Sequence, residues 1–335
     1  MVKAPRKILV VRFSSIGDIV LTSPVPRNLK RAFPDCEVHY FTKAAFHSLV
    51  AHNPHIDKVH LLEDSLGDQL DRLKAEKFDA IIDLHNNLRT LRIKQSLKIP
   101  AYTFNKENLS KFWMVRLKQM DQGIAHIVDR YLQTLEHWQI NLDDQGLDFF
   151  LTNESIAEAD AFLAEDPLNI IDQSPMAVVL GANYATKRWL PEYFVDLLNK
   201  LGRPVVLIGG PDSVEEAKTI SAQLTVPFLD TVGKTSLLVS AAILEKCTDV
   251  LAHDTGFMHI AAAFKKPIYS LWGNTVPEFG MTPYRTPYWI LENQDASCRP
   301  CSKIGYKKCP RSHFECMRGL TPEMVLQKIQ EPPIS

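Results

Sequence analysis

The chain of 335 residues contains no apolar run that approaches the roughly 20 residues needed by a membrane-spanning helix. Residues 1–7 lack the apolar core of a signal peptide, so the expectation is a cytoplasmic protein. Excess charge of one sign is also missing. Lys plus Arg number 38 against 39 Asp plus Glu, which gives no steer toward nucleic acid. No internal repeat or low-complexity tract is visible. What remains is a globular chain long enough for two domains of ordinary size.

The chain does hold an alternation of strand and helix patterns. Apolar runs read as buried strands at 8–13, 38–41, 80–84, 177–180, 205–208, 249–252 and 268–271. Helical stretches fall between them, among them 67–76, 193–201, 213–224 and 237–246. Such alternation predicts parallel sheets with helices on both faces. The pattern breaks between about 143 and 174, where turn-rich and polar segments gather. That places the domain junction there, with domains expected at 1–155 and 156–335.

Two strand-to-helix turns carry the chemistry. The first is His253-Asp254-Thr255-Gly256-Phe257-Met258-His259, which follows an apolar strand end and opens a short helix. Backbone N–H groups, a hydroxyl and a carboxylate meet there at the positive end of a helix dipole, which suits a phosphate. Thr255 and Gly256 would face phosphates, Asp254 would accept from sugar hydroxyls, and His259 lies one turn on. The bland alternatives are Asp254 as an N-cap and His259 as a core histidine. The second turn is Ser14-Ser15-Ile16-Gly17-Asp18, after the strand at 7–13. Gly17 would permit a tight turn or close ligand approach. Asp18 reads either as an N-cap or as a base facing a ligand.

Charge is uneven along the chain. From His85 to Lys118 eight basic residues, Arg89, Arg92, Lys94, Lys98, Lys106, Lys111, Arg116 and Lys118, stand against Glu107 alone. Leu88, Leu91, Leu97, Phe104, Phe112, Trp113 and Met114 are interleaved with them. This mixture fits an anionic lipid-linked substrate or a membrane surface, or else a solvated helix face. Six cysteines are present. Cys36 and Cys247 lie in apolar segments and read as core thiols. Cys298, Cys301, Cys309 and Cys316 form a Cys-rich loop at 298–316, with zinc, free thiols and disulfides as the readings, and His313 as a substitute ligand.

These motifs together resemble glycosyltransferase family 9, the ADP-heptose:lipopolysaccharide heptosyltransferases. The stretch from Arg12 to Thr22 resembles that family's N-terminal motif, and 253–263 its donor motif. Gly181-Ala182-Asn183-Tyr184-Ala185-Thr186-Lys187-Arg188-Trp189-Leu190-Pro191 resembles its lysine loop. Gly209-Gly210-Pro211-Asp212-Ser213-Val214-Glu215-Glu216 resembles the strand, loop and helix that follow. Asp83-Leu84-His85-Asn86-Asn87-Leu88-Arg89 and His126-Ile127-Val128-Asp129-Arg130-Tyr131 are similar to further stretches of these enzymes.

The resemblance implies an α/β fold of GT-B architecture, two Rossmann-like doubly wound domains facing each other across a cleft. Its N-terminal domain would bind acceptor and its C-terminal domain nucleotide sugar, with the final helix near 322–330 returning to the first domain. Asp18 would be the base, and Lys187 would meet the charge of the leaving diphosphate, sharing that role with Arg188. Asp254, Thr255, Gly256 and His259 would hold the donor, and Glu215 its ribose. Glu215 and Glu216 also read as first-turn acids of a helix. Ser15, Gly17, His85, Arg89 and His126 would serve the acceptor. His126 also reads as a helix cap, and Trp189 as either a loop anchor or an adenine stack.

The implied reaction is inverting transfer of a heptose from ADP-heptose to the inner core of lipopolysaccharide, an anionic glycolipid. No cofactor is implied for catalysis, a structural zinc at Cys298, Cys301, Cys309 and Cys316 stays open beside free thiols and disulfides, and nucleic acid is not a partner. Peripheral contact with the inner face of the cytoplasmic membrane follows from the acceptor. Two alternatives stay open: a GT-B nucleotide-sugar epimerase, and a non-catalytic nucleotide-sugar-binding protein.

Overall fold

A computed structural model describes residues 3–62, 65–120 and 122–334. Its contacts divide the chain into two compact units, 1–107 with 125–150, and 108–124 with 151–335. The first holds β1 (Lys7–Val11), β2 (Glu37–Lys43), β3 (Lys58–Leu62), β4 (Ala80–Asp83) and β5 (Ala101–Thr103), in sheet order β3-β2-β1-β4-β5. The second holds β6 (Met176–Val179), β7 (Val205–Ile208), β8 (Phe228–Asp230), β9 (Asp249–His253), β10 (Ile268–Trp272) and β11 (Tyr288–Glu292), ordered β11-β10-β9-β6-β7-β8. Every pairing between these strands is parallel. Each unit thus repeats the doubly wound Rossmann order, with a topological switch point between β1 and β4 in one and between β6 and β9 in the other.

The inner strands are apolar because helices cover both faces. Ile8, Leu9, Val10 and Val11 of β1 are wholly buried, as are Met176, Ala177 and Val178 of β6. The second core gathers Val178, Trp189, Phe194, Leu207, Leu251 and Leu271. Trp189 is 1% exposed and its indole N–H donates to the carbonyl of Leu320 at 2.8 Å, so it is a loop anchor.

Two features differ from the expected organisation. The chain passes to the second unit after residue 150, and the segment 108–124 already belongs to that unit. The stretch before the passage is tied to the first unit by Arg27. Its guanidinium donates to Asp143 at 2.7 and 3.0 Å, to the carbonyl of Gly146 at 2.7 Å, and to Asp148. The final helix, Pro322–Ile329, groups with the second unit. It packs on the helix Pro191–Leu201, and Val325 is wholly buried in that unit's core.

Candidate active site

In the first unit, β1 runs into Arg12 and then the short helix Ile16–Val20, which carries Asp18 in its first turn. Asp18 is gripped on both oxygens. Its Oδ1 lies 2.7 Å from Arg12 Nη2. Its Oδ2 accepts from the backbone N–H of Ser15 at 3.1 Å and from the Ser15 hydroxyl at 2.8 Å. Arg12 is itself fixed, donating to the carbonyls of Ser14 at 2.7 Å and Leu84 at 2.6 Å. Burial works against the charge on Asp18, but the Arg12 guanidinium and the Ser15 donors outweigh it and hold the carboxyl below its ordinary range.

The end of β4 brings His85 to the same switch point. Its ring stands edge-on to Phe13 with centroids 5.1 Å apart, and its Nδ1 is buried without a hydrogen-bond partner. Burial, then the Arg12 and Lys106 charges, push its pKa down to about 4. Burial and then Arg12 also lower Lys106. Asp18, Ser15 and His85 are therefore brought together at this switch point. Arg12 and Lys106 were missed as members, although Arg12 lies inside the motif.

The other acceptor-side assignments fare differently. Gly17 is buried within the helix and has no positive φ, so no tight turn requires it. Arg89 lies exposed in the first turn of the helix Leu88–Leu97. His126 is the N-cap of the helix Ile127–Leu132, its Nδ1 accepting from the N–H of Val128 at 3.2 Å. That bond satisfies an orphan donor of the helix and gives His126 a structural duty.

In the second unit the loop after β6 and the turn after β9 meet at the switch point. Lys187 Nζ lies 2.5 Å from Asp254 Oδ2 and 3.2 Å from the Asp254 carbonyl oxygen. The Thr275 hydroxyl donates to the same Oδ2 at 3.0 Å. Burial raises the cost of the Asp254 charge, yet Lys187, and then His259, lower its pKa overall. Thr255 is the N-cap of the helix Gly256–Ala263, and its Oγ1 is buried with no hydrogen-bond partner. A buried orphan hydroxyl at a helix N-terminus beside an ammonium is a set of donors waiting for an anion. His259 is 2% exposed on that helix. Behind the turn, His253 Nε2 accepts from the N–H of Trp189 at 2.8 Å, which locks the lysine loop to β9.

Arg188 donates through Nε to the carbonyl of Ala182 at 2.9 Å and pairs with Asp212 at 2.5 Å. Its Nη1 lies 3.4 Å from Glu216. Glu216, and not Glu215, is the acid that faces inward. The Glu215 side chain is 86% exposed, points to solvent and pairs with Lys218 at 2.7 Å. Glu216 is 10% exposed, its Oε1 is buried without a partner, and burial raises its pKa to about 7 against the pull of Arg188. The helical period carried this signal. Ala217 and Ile220 form the buried face of the helix Val214–Ser221, and Glu216 shares that face one turn before Ile220.

The Cys-rich loop does not assemble a metal sphere. All four thiols are free, and Cys298 and Cys316 are buried. They lie near enough to influence one another, since burial and then the neighbouring thiols push Cys301 up to about 11 and Cys316 up to about 12. Sulfurs in a four-thiolate zinc site lie about 3.8 Å apart. Among the described residues no three of the loop's ligand atoms come within 4.8 Å of one another. The loop is organised instead by buried Arg299, which donates to the carbonyls of Gly273, Asn293 and Thr275 at 2.5, 3.0 and 3.0 Å. The expected zinc is therefore not supported by the donor geometry. The described group whose ligand atoms do converge is His39, His60 and Glu76. There the two rings are hydrogen-bonded at 3.0 Å, and Lys7 and Lys58 pair with the carboxylate, so the cluster is satisfied by its own members.

Two Rossmann units in one chain, shared with heptosyltransferase structures, give the α/β GT-B fold. The model of glycosyltransferase family 9 (heptosyltransferase) matches residues 69–310, and the chain belongs to that family. It is therefore a transferase, which sets aside the epimerase and non-catalytic readings. Lipooligosaccharide heptosyltransferase 2 of Haemophilus influenzae is 25% identical, with 97% of this chain and 98% of that protein covered. The crystal structure of a family 9 glycosyl transferase from Veillonella parvula superimposes with a TM-score of 0.77 at 22% identity, covering 97% of this chain and 96% of its own. Escherichia coli ADP-heptose LPS heptosyltransferase II gives 0.71 at 18% identity, covering 96% and 97%.

Proposed function

We propose that this enzyme transfers a heptose from ADP-heptose to the inner core of lipopolysaccharide, with inversion at the anomeric carbon. The observation that carries the donor half is the Lys187–Asp254 pair at 2.5 Å beside the orphaned Thr255 hydroxyl. The second unit binds the nucleotide sugar and the first binds the acceptor. Lys187, Arg188, the Thr255 hydroxyl and the Gly256 N–H receive the diphosphate, Asp254 accepts from hydroxyls of the sugar, and Glu216 accepts from the ribose. His259 supports Asp254 from the helix behind it.

The acceptor hydroxyl attacks the anomeric carbon as the bond from that carbon to the β-phosphate oxygen breaks. Asp18 takes the hydroxyl proton, and ADP leaves with the bonding electrons. The Arg12 grip keeps Asp18 ionised but makes it a weaker base. The proton therefore moves late, when bonding to the sugar has made the hydroxyl acidic. A fixed ammonium at Lys187 stabilises charge growing on the leaving phosphate, a contribution of about 3–4 kcal/mol in well-formed sites. Asp254 is taken up by Lys187 and the sugar hydroxyls, and Asp18 acts on the acceptor, so a single displacement is favoured, hence inversion. His85, Lys106 and Ser15 are the acceptor-side groups next to Asp18, with a cation suited to an anionic glycan. These residues need no metal for this chemistry. The enzyme acts on the cytoplasmic side, in peripheral contact with the membrane that carries its acceptor, and nucleic acid is not a partner.

Asp254→Ala tests the donor assignment. It should weaken binding of the full nucleotide sugar more than binding of ADP, measured by calorimetry, while Lys187→Ala weakens both. Equal loss of the two ligands in Asp254→Ala would remove it from the sugar.

A further inference from the structure

The helix Asn108–Leu117 presents its apolar stripe outward. Met114, on its inner side, is wholly buried against Val276 and Phe279. The Lys111 ammonium covers the Phe279 ring at 5.7 Å. The outer side carries Leu109, Phe112, Trp113 and Leu117, exposed by 67, 44, 37 and 54%. Positions 109, 112, 113, 116 and 117 fall on one face at helical spacing. Four of the twelve large apolar side chains exposed among the described residues lie on this one ten-residue helix, so they form a patch and not scatter. Arg116 is the exposed charge within the stripe, and 108–120 contains Lys111, Arg116 and Lys118 with no acid.

The Cys-rich loop straps this helix at both ends. Lys303 donates to the carbonyl of Asn108 at 3.0 Å, and Lys118 donates to the carbonyls of Cys298 and Pro300 at 2.9 and 2.6 Å. The loop then adds exposed Ile304 (58%) and Tyr306 (40%), with exposed Lys303, Lys307, Lys308 and Arg311 around them. Apolar and aromatic tips inside a basic surround are complementary to an anionic bilayer interface, where aromatic rings sit at headgroup depth and cations meet lipid phosphates. An exposed helix face is a ridge, which suits lying on a surface.

We propose that the 108–117 helix, with the 303–311 loop beside it, is the element by which the second unit docks on an anionic phospholipid bilayer. The proposal rests on the reading that the acceptor is lipid-linked, and it names the surface that makes that membrane contact. Phe112 and Trp113 enter the interface, and Arg116 and the loop lysines bind headgroups.

The test is flotation of the full chain with vesicles of phosphatidylethanolamine and phosphatidylglycerol, against vesicles of phosphatidylcholine alone. The unsubstituted protein should float with the anionic vesicles, less so at high salt, and poorly with phosphatidylcholine. The double variant Phe112→Ser, Trp113→Ser should bind about tenfold or more weakly, because two interfacial anchors are lost. Neither side chain is part of the buried core, the variant's melting temperature checks that the fold is kept, and transfer to a deacylated, water-soluble acceptor should be unchanged. Equal flotation of the variant, or none by the unsubstituted protein, would overturn the proposal. So would concentration-dependent self-association that the variant abolishes, which would give the patch to a second copy of the chain. Failure of both proteins to use the soluble acceptor would count against the transferase reading, and not against the docking surface.

Discussion

Asp18 and Glu216 are carboxylates pulled in opposite directions by their surroundings. Asp18 keeps its charge because Arg12 stands 2.7 Å away, and Glu216 is raised to about 7 because burial outweighs an arginine at 3.4 Å. The Glu216 shift makes a pH prediction. A carboxyl whose folded pKa is raised contributes stability below the unfolded value near 4.5, and that contribution is lost as pH rises through about 7. Glu216→Gln should therefore raise the melting temperature of the ligand-free protein at pH 8 and change it little at pH 4. ADP affinity of the unsubstituted enzyme should fall as pH drops below about 7, because the protonated acid no longer accepts two ribose hydroxyls. Glu216→Gln should flatten that dependence. A variant that keeps the inflection would assign it to another group.

The residues also mark how far the sequence could be read. Asp18, Lys187, Asp254 and Thr255 were legible because each directly follows a buried strand or lies in a motif. The motif match pointed to Glu215, whereas the inward-facing acid is its neighbour Glu216, since a motif match does not fix the phase of a helix. Arg12 was invisible as a partner because its role depends on the carbonyls of Ser14 and Leu84, the second brought close only by β-sheet pairing.

At the scale of elements, the seven strands read from sequence are the inner strands β1, β2, β4, β6, β7, β9 and β10. The four that went unread, β3, β5, β8 and β11, are the edges of the two sheets. Inner parallel strands are covered on both faces and become continuous apolar runs, whereas edge strands are shorter or half-buried and lose that signature. The Cys-rich loop shows a different limit. Its four clustered cysteines read as a candidate metal knuckle, although the second pair is more widely spaced than usual, and the structure spends Arg299 on three carbonyls and Lys118 and Lys303 on strapping the 108–117 helix. With the loop held by these bonds, treating the purified protein with a strong chelator should leave its melting temperature unchanged. Thiol titration after unfolding should report all six cysteines as free. One equivalent of zinc together with a chelator-induced fall in melting temperature would contradict this account.

For the whole molecule, the doubled alternation of strand and helix made two Rossmann units legible. The excursion of 108–124 to the second unit was not legible, because its anchors are single long-range contacts such as Met114 on Phe279. Each unit carries a charged cluster at its own switch point, Asp18 with Arg12 in one and Lys187 with Asp254 in the other. The central claim is that these serve one reaction, heptose transfer from ADP-heptose to a lipopolysaccharide core acceptor. The most direct measurement incubates the purified chain with ADP-heptose, with and without a heptose-deficient core acceptor, and follows ADP release and acceptor mass. The account predicts acceptor-dependent ADP release with one heptose added per acceptor. Asp18→Asn should slow it about 10²-fold or more, with ADP binding nearly unchanged. Release of ADP without a glycosylated product, or unimpaired turnover by Asp18→Asn, would contradict it.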